Sequence, residues 1–149
     1  VPPSLEPEGE GRRSLYGRRG FTDKVLAFLI IMAGEPLEEF GMSYRVVMTA
    51  AELLEVARMV PKKNLDDRHN GAPKFKAFVD VAEAEPRAIF KAYVVPKERW
   101  DERVSVDGAV IPADRPDLVR RLVRRARRGP DEQAVVEVGG AKYVRLWWD

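Results

Sequence analysis

The chain has 149 residues, with 26 Lys and Arg against 24 Asp and Glu and a net charge of +2, which gives room for one ordinary domain or two very small ones. With 45% hydrophobic and 34% charged residues, the composition excludes a disordered class. The absence of cysteine excludes disulfide frameworks, thiol nucleophiles and cysteine-bound zinc, and a single histidine, His69, excludes multi-histidine metal sites.

No metal or cofactor is therefore expected, and the near-balanced charge leaves local clustering as the only electrostatic argument for a nucleic-acid partner. The longest apolar run, Val25 to Ala33, falls well short of the roughly 20 residues that a spanning helix needs. Residues 1–11 hold acids and prolines where a signal peptide would hold basic and apolar residues, so they are expected to be a flexible tail on a cytoplasmic protein.

In chain order, Arg12 to Phe21 is basic, punctuated by glycine and suited to a short hairpin. Val25 to Ala33 is expected to form a helix capped by Asp23 and stopped by Gly34-Glu35-Pro36. Tyr44 to Met48 alternates aromatic, basic and β-branched residues and predicts a strand. Thr49, with Glu52 at capping-box spacing, opens a helix from Ala50 to about Val60 that Pro61 ends. The charged, turn-rich text from Lys62 to Pro73 marks a boundary, giving an N-terminal α/β domain over 12–68 and a C-terminal domain over 69–149.

In the second half, Lys74 to Val81 and Ala88 to Val95 predict strands, the second of them open to a helical start. Arg103 to Ile111 holds Asp107-Gly108 between alternating valines, a hairpin signal. Asp114-Arg-Pro-Asp117 opens a helix to about Arg128, closed by Gly129-Pro130. Gln133 to Val138 and Lys142 to Trp148 form a last hairpin around Gly139-Gly140. The fold class is mixed α/β.

Two segments stand out as functional candidates. On the helix that opens at Asp114, Leu118, Val119, Leu122, Val123 and Ala126 make one apolar stripe. Arg120, Arg121, Arg124, Arg125, Arg127 and Arg128 fill the rest, with no acid after Asp117. A charge run is usually a solvated face, but a purely cationic one matches phosphate geometry, and RNA contact is the expected role. On the final strand Val144, Leu146 and Trp148 share one face and Tyr143, Arg145 and Trp147 the other. Read as a terminal edge strand with large groups on both sides, it is expected to be a subunit interface formed by Tyr143, Val144, Leu146, Trp147 and Trp148. His69, in the charged stretch and beside no motif, reads as a solvent-exposed histidine.

Taken in order, Lys74-Phe-Lys-Ala-Phe-Val-Asp-Val81, Tyr93-Val94-Val95, Arg124-Arg125-Ala126, Ala134-Val-Val-Glu137 and Tyr143-Val-Arg-Leu-Trp147 resemble the C-terminal domain of the archaeal tRNA-intron splicing endonucleases. Ser14-Leu15-Tyr16-Gly17 and the apolar helix after it resemble that family's N-terminal domain. The resemblance implies a nuclease-like domain with a mixed sheet flanked by helices. It also implies that the positions of the family's catalytic tyrosine and histidine fall at or beside Val81 and at Phe90. No lysine stands between Lys97 and Lys142 to fill the third role, so no catalytic residue is assigned.

The function implied by the resemblance is that of a structural subunit. It would join a catalytic splicing-endonuclease subunit, two plus two, on precursor tRNA, with Arg124 toward bulged nucleotides. The loop at Glu137-Val-Gly-Gly140 is less acidic than the family's docking loop, which leaves open the side of the contact this chain supplies. The alternative reading is a stand-alone RNA- or DNA-binding module of α/β fold.

Overall fold

The computed structural model describes residues 13–149; the expected tail lies outside them. Helices α1 (Thr22–Ala33), α2 (Ala50–Met59), α3 (Phe75–Ala84) and α4 (Pro116–Arg124) accompany strands β1 (Glu38–Phe40), β2 (Ser43–Thr49), β3 (Ile89–Val95), β4 (Arg103–Pro112), β5 (Glu132–Val138) and β6 (Ala141–Trp147). The strands form one sheet in the order β1-β2-β3-β4-β6-β5, every pair antiparallel. The α/β class stands, but the sheet is antiparallel throughout rather than mixed.

Local chemistry accounts for several elements. The capping box of α2 is complete: Thr49 Oγ1 accepts from the Glu52 backbone N–H at 3.2 Å, and Glu52 Oε1 accepts from the Thr49 N–H at 2.9 Å. Gly34 ends α1 in the left-handed conformation at φ 74°. The short turn after Arg12 is present, with Arg13 bridging Arg18.

The cap of α1 is a correction. Asp23 does not cap it and instead pairs with Lys97 at 2.9 Å. The first-turn donors go to Glu102, a fully buried carboxylate some 80 residues away in sequence, which accepts from the N–H groups of Gly20 and Thr22 and from Thr22 Oγ1. A charged acceptor at a helix N-terminus satisfies orphan donors and meets the positive end of the dipole.

Three further expectations fail for identifiable reasons. Lys74 to Val81 is the start of α3, not a strand: Phe75, Phe78, Val81 and Ala82 recur at helical spacing and are all buried. Asp107-Gly108 is not a turn. β4 runs straight through it, and Asp107 is the extra residue of a β-bulge where the pairing with β3 shifts between Lys91 and Ala92. The boundary at 68/69 divides nothing, because β2 pairs with β3 along its length and a single hydrophobic cluster draws on both halves.

The stretch from Lys62 to Pro73 carries charge because it runs along the surface, yet it is tied inward. A 3-10 turn over Lys62–Asp66 presents Asn64, whose side-chain amide donates to Val104 O at 2.8 Å and accepts from Val104 N at 3.0 Å. The asparagine thus acts as a strand partner for β4 beyond the end of β6.

The helices lie against one face of the sheet. Met48, Phe90, Ala92, Val94, Val104, Val106, Ala109, Ile111 and Leu146 point into the cluster with Val25, Leu29, Leu53, Val56, Phe78, Leu118 and Leu122. Alternate strand residues point away, and Phe40 and Val47 are 61% and 67% exposed. The helices therefore cover one face, while the other is open around Phe40 and Val47 and covered at Val95 and Ser105.

Two substitutions test this packing. Trp148→Ala should lower unfolding free energy by about 3–5 kcal/mol in urea titrations. Gly108→Ala should cost about 1–3 kcal/mol, since an added Cβ would lie 2.9 Å from the Leu146 carbonyl oxygen of β6.

Candidate nucleic-acid interface

Helix α4 ends at Arg124, short of the expected Arg128, because the next turn bends toward Gly71: the N–H groups of Arg127 and Arg128 both donate to Gly71 O. The arginines then divide. Arg125 pairs with Asp80 at 2.6 Å, and Arg128 pairs with Asp131 and donates to Asp149 O at 2.8 Å while its stem covers Gly71. These two are taken up by contacts within the chain. Arg120, Arg121 and Arg124 are exposed, and among the described residues none of them makes an ion pair. Arg127 is likewise exposed and lies close enough to Arg68 to hold that guanidinium below its usual pKa, with burial the larger cause.

The terminal strand is corrected in position and in role. β6 lies between β4 and β5, and the edge is β5. Leu146 and Trp148 are 1% and 0% exposed within this one chain, Val144 packs beside them, and Trp148 meets Phe78 edge-on while its Nε1–H donates to Arg128 O at 2.9 Å. That face has no surface left for a partner. Tyr143 and Trp147 point the other way, onto the open face, where Trp147 is half-buried.

The open face carries a pattern that chain-order reading did not assemble. Arg45 sits 4.3 Å over the Phe40 ring, Lys91 lies 5.6 Å from the Trp147 ring, and Arg103 lies 5.6 Å from the Tyr93 ring. Pairing explains the grouping: Arg45 stands opposite Tyr93, Val47 opposite Lys91, and Lys91 and Trp147 both opposite Gly108. All three cation–π pairs thus share one side of the sheet. Strand alternation at Tyr44-Arg45 and Lys91-Ala-Tyr93 was the available signal; only the pairing order joins them.

Between these strands is a cleft of about 200 Å³ lined by Arg45, His69, Lys91, Tyr93, Asp107 and Trp147, with Ser43 and Asp149 at its margin. His69 is not the solvent-exposed side chain expected. It is half-buried, its Nδ1 is 2.7 Å from Tyr93 Oη, and the rings meet edge-on at 5.4 Å. Beneath them Asp67 accepts from Tyr16 Oη at 2.7 Å and Ser105 Oγ at 2.6 Å. Burial and that bond hold the Tyr16 phenol protonated far above its ordinary range. Lys91 Nζ is 3.2 Å from Asp107 Oδ2, and on two residues that line the cleft, Asp107 Oδ1 and Trp147 Nε1 are buried without a hydrogen-bond partner among the described residues.

The arginine turn and the cleft adjoin through residues 69–71. Gly71 receives the turn after α4, the Asn70 amide donates to Asp149 O, and His69 and Asp149 line the cleft.

Among the described residues no cluster of three His, Asp or Glu could hold a metal ion, and no helix is long and apolar enough to cross a membrane. No family model, curated protein or solved structure matches the chain.

Burial depresses the His69 pKa despite the opposing charges of Asp107, Asp149 and Asp67, with Arg103 adding to the depression. The unfolded chain then binds a proton that the folded one refuses, so this histidine destabilises the fold as pH falls through its ordinary range of about 6.5 and has no such effect above it. Melting temperature should drop between pH 7.5 and pH 5.5 more steeply in the natural chain than in His69→Gln. Parallel pH profiles would show that His69 is solvated.

Proposed function

We propose that this protein is a binding module for single-stranded RNA. The observation that carries the reading is the grouping of the Arg45–Phe40 and Lys91–Trp147 pairs with Tyr93 on the helix-free face of the sheet, where Arg103 beside Tyr93 is itself tied to Asp101. Unpaired bases stack on aromatic and guanidinium planes, and an open antiparallel sheet displays such planes at strand spacing. The unpaired Arg120, Arg121 and Arg124 contribute phosphate contacts, and the bend at Gly71 offers the backbone of the strand a cationic route between the two regions.

A narrower form is the structural subunit of a tRNA-splicing endonuclease, bound to a catalytic homologue and precursor tRNA. It is supported by the exposed Arg124 and by the burial of Phe90 and of Val81, at or beside which the resemblance would put the family's histidine and tyrosine. It loses two supports: the segment read as the opening strand of that domain is helix α3, and the sheet has no parallel pair. Binding of single strands is the form the geometry favours.

Fluorescence anisotropy with a labelled ten-nucleotide single strand and a duplex of equal length tests the reading. The single strand should bind more tightly. Trp147→Ala should weaken it by about tenfold, corresponding to about 1.4 kcal/mol, within the range of a single base–aromatic stack. Arg120→Glu with Arg124→Glu should flatten the dependence of log affinity on log salt by about 0.7 for each phosphate no longer neutralised. Equal affinity for the duplex, or no binding of either, would overturn it.

A further inference from the structure

We propose that the cleft beside Lys91 receives one unpaired base, and that Asp107 selects bases whose edge offers adjacent N–H donors, guanine above all, over uracil; this rests on the single-strand reading above. Asp107 is the bulge residue of β4, only 7% exposed, with one carboxylate oxygen held by Lys91 and the other lacking any donor among the described residues. In the same cleft the Trp147 Nε1–H lacks an acceptor. A buried acceptor and a buried donor, each without a partner, form a standing demand for a ligand edge that presents both.

The candidate edges differ in what they offer. Guanine presents N1–H and an N2 amino group side by side, which a carboxylate accepts as a parallel pair, and O6 next to them as an acceptor for an N–H. Adenine and cytosine each present one amino group beside a ring-nitrogen acceptor. Uracil presents a single N3–H flanked by two carbonyl oxygens, which would face the lone pairs of Asp107. A site built to hydrogen-bond a donor discriminates strongly against an analogue that lacks it.

Lys91 makes entry possible. Its side chain is 38% exposed and reaches Asp107 from the solvent side. On swinging outward its ammonium would meet a backbone phosphate while the base takes its place at the carboxylate. The cleft, about 200 Å³, is on the scale of one base, not of a stacked pair.

The test compares a labelled decauridylate with the same strand carrying one central guanosine, adenosine or cytidine, on the full chain, by anisotropy. The central guanosine should tighten binding at least tenfold over decauridylate, with adenosine and cytidine between. In Asp107→Asn the guanosine-to-uridine affinity ratio should fall below about threefold. Reading a ratio cancels any uniform loss of affinity. Trp147→Phe, which keeps a smaller stacking ring and removes the Nε1–H, should lower the same ratio and serves if Asp107→Asn fails to fold; its smaller ring weakens every strand alike and cancels in the ratio. If the chain binds every strand with equal affinity, the base-selection proposal is overturned and the single-strand reading stands. If it binds no strand, both fall. If free guanosine monophosphate binds as tightly as the guanosine strand, the cleft is a mononucleotide site and the strand-borne base is excluded.

Discussion

One extra residue in β4 governs the geometry of both faces of this sheet. Val104 and Val106 point to the helices, and so do Ala109 and Ile111, although strict alternation would send the second pair to solvent. The bulge at Asp107 absorbs the difference in phase. It keeps the apolar residues of a ten-residue strand in the core, and it gives the open face Asp107 and Gly108 in succession. Gly108 then lets the backbone of β6 lie close, which brings Trp147 over the strand and next to Lys91. The cleft exists because the strand is bulged.

The rest of the chain is drawn to this strand by buried polar groups. Glu102, just before β4, holds the first turn of α1; Asn64 completes the ladder at Val104; Asp67 gathers Ser105 and Tyr16. Each is a long-range tie between regions of a chain with few long elements, and each would be expensive to bury without its partners. Such ties explain how a surface segment as charged as Lys62 to Asp67 is anchored to the sheet through Asn64 and Asp67, and why no boundary falls there.

Sequence reading recovered what local chemistry determines. The capping box of α2, the glycine stop of α1, the proline-led start of α4 and the final hairpin around Gly139-Gly140 all depend on residues a few positions apart. It misjudged Asp107-Gly108, because the same dipeptide serves a turn or a bulge and only the pairing with β3 and β6 decides between them. It misjudged α3, where Phe75, Ala77 and Val79 also satisfy a period of two until the burial of Phe78, Val81 and Ala82 picks out the helical stripe. The arginine cluster was visible as composition, and Asp131 stands only three residues after Arg128, but the capture of Arg125 by Asp80 was not visible, since that acid lies on α3.

The two adjacent tryptophans show why strand position decides burial here. Trp147 and Trp148 are identical in chemistry and consecutive in sequence, and neither local propensity nor hydropathy separates them. β6 ends between them. Trp147 faces the open side opposite Gly108, whereas Trp148 leaves the ladder, donates its backbone N–H to Asp107 O and turns its ring against Phe78. One ring closes the hydrophobic core and cannot be offered to a partner without unfolding the chain. The other stands beside Lys91 in the cleft that Asp107 also lines, outside the hydrophobic cluster. Consecutive positions thus give one tryptophan to the core and leave the other half-buried on the opposite face among charged groups, its Nε1–H unpaired among the described residues.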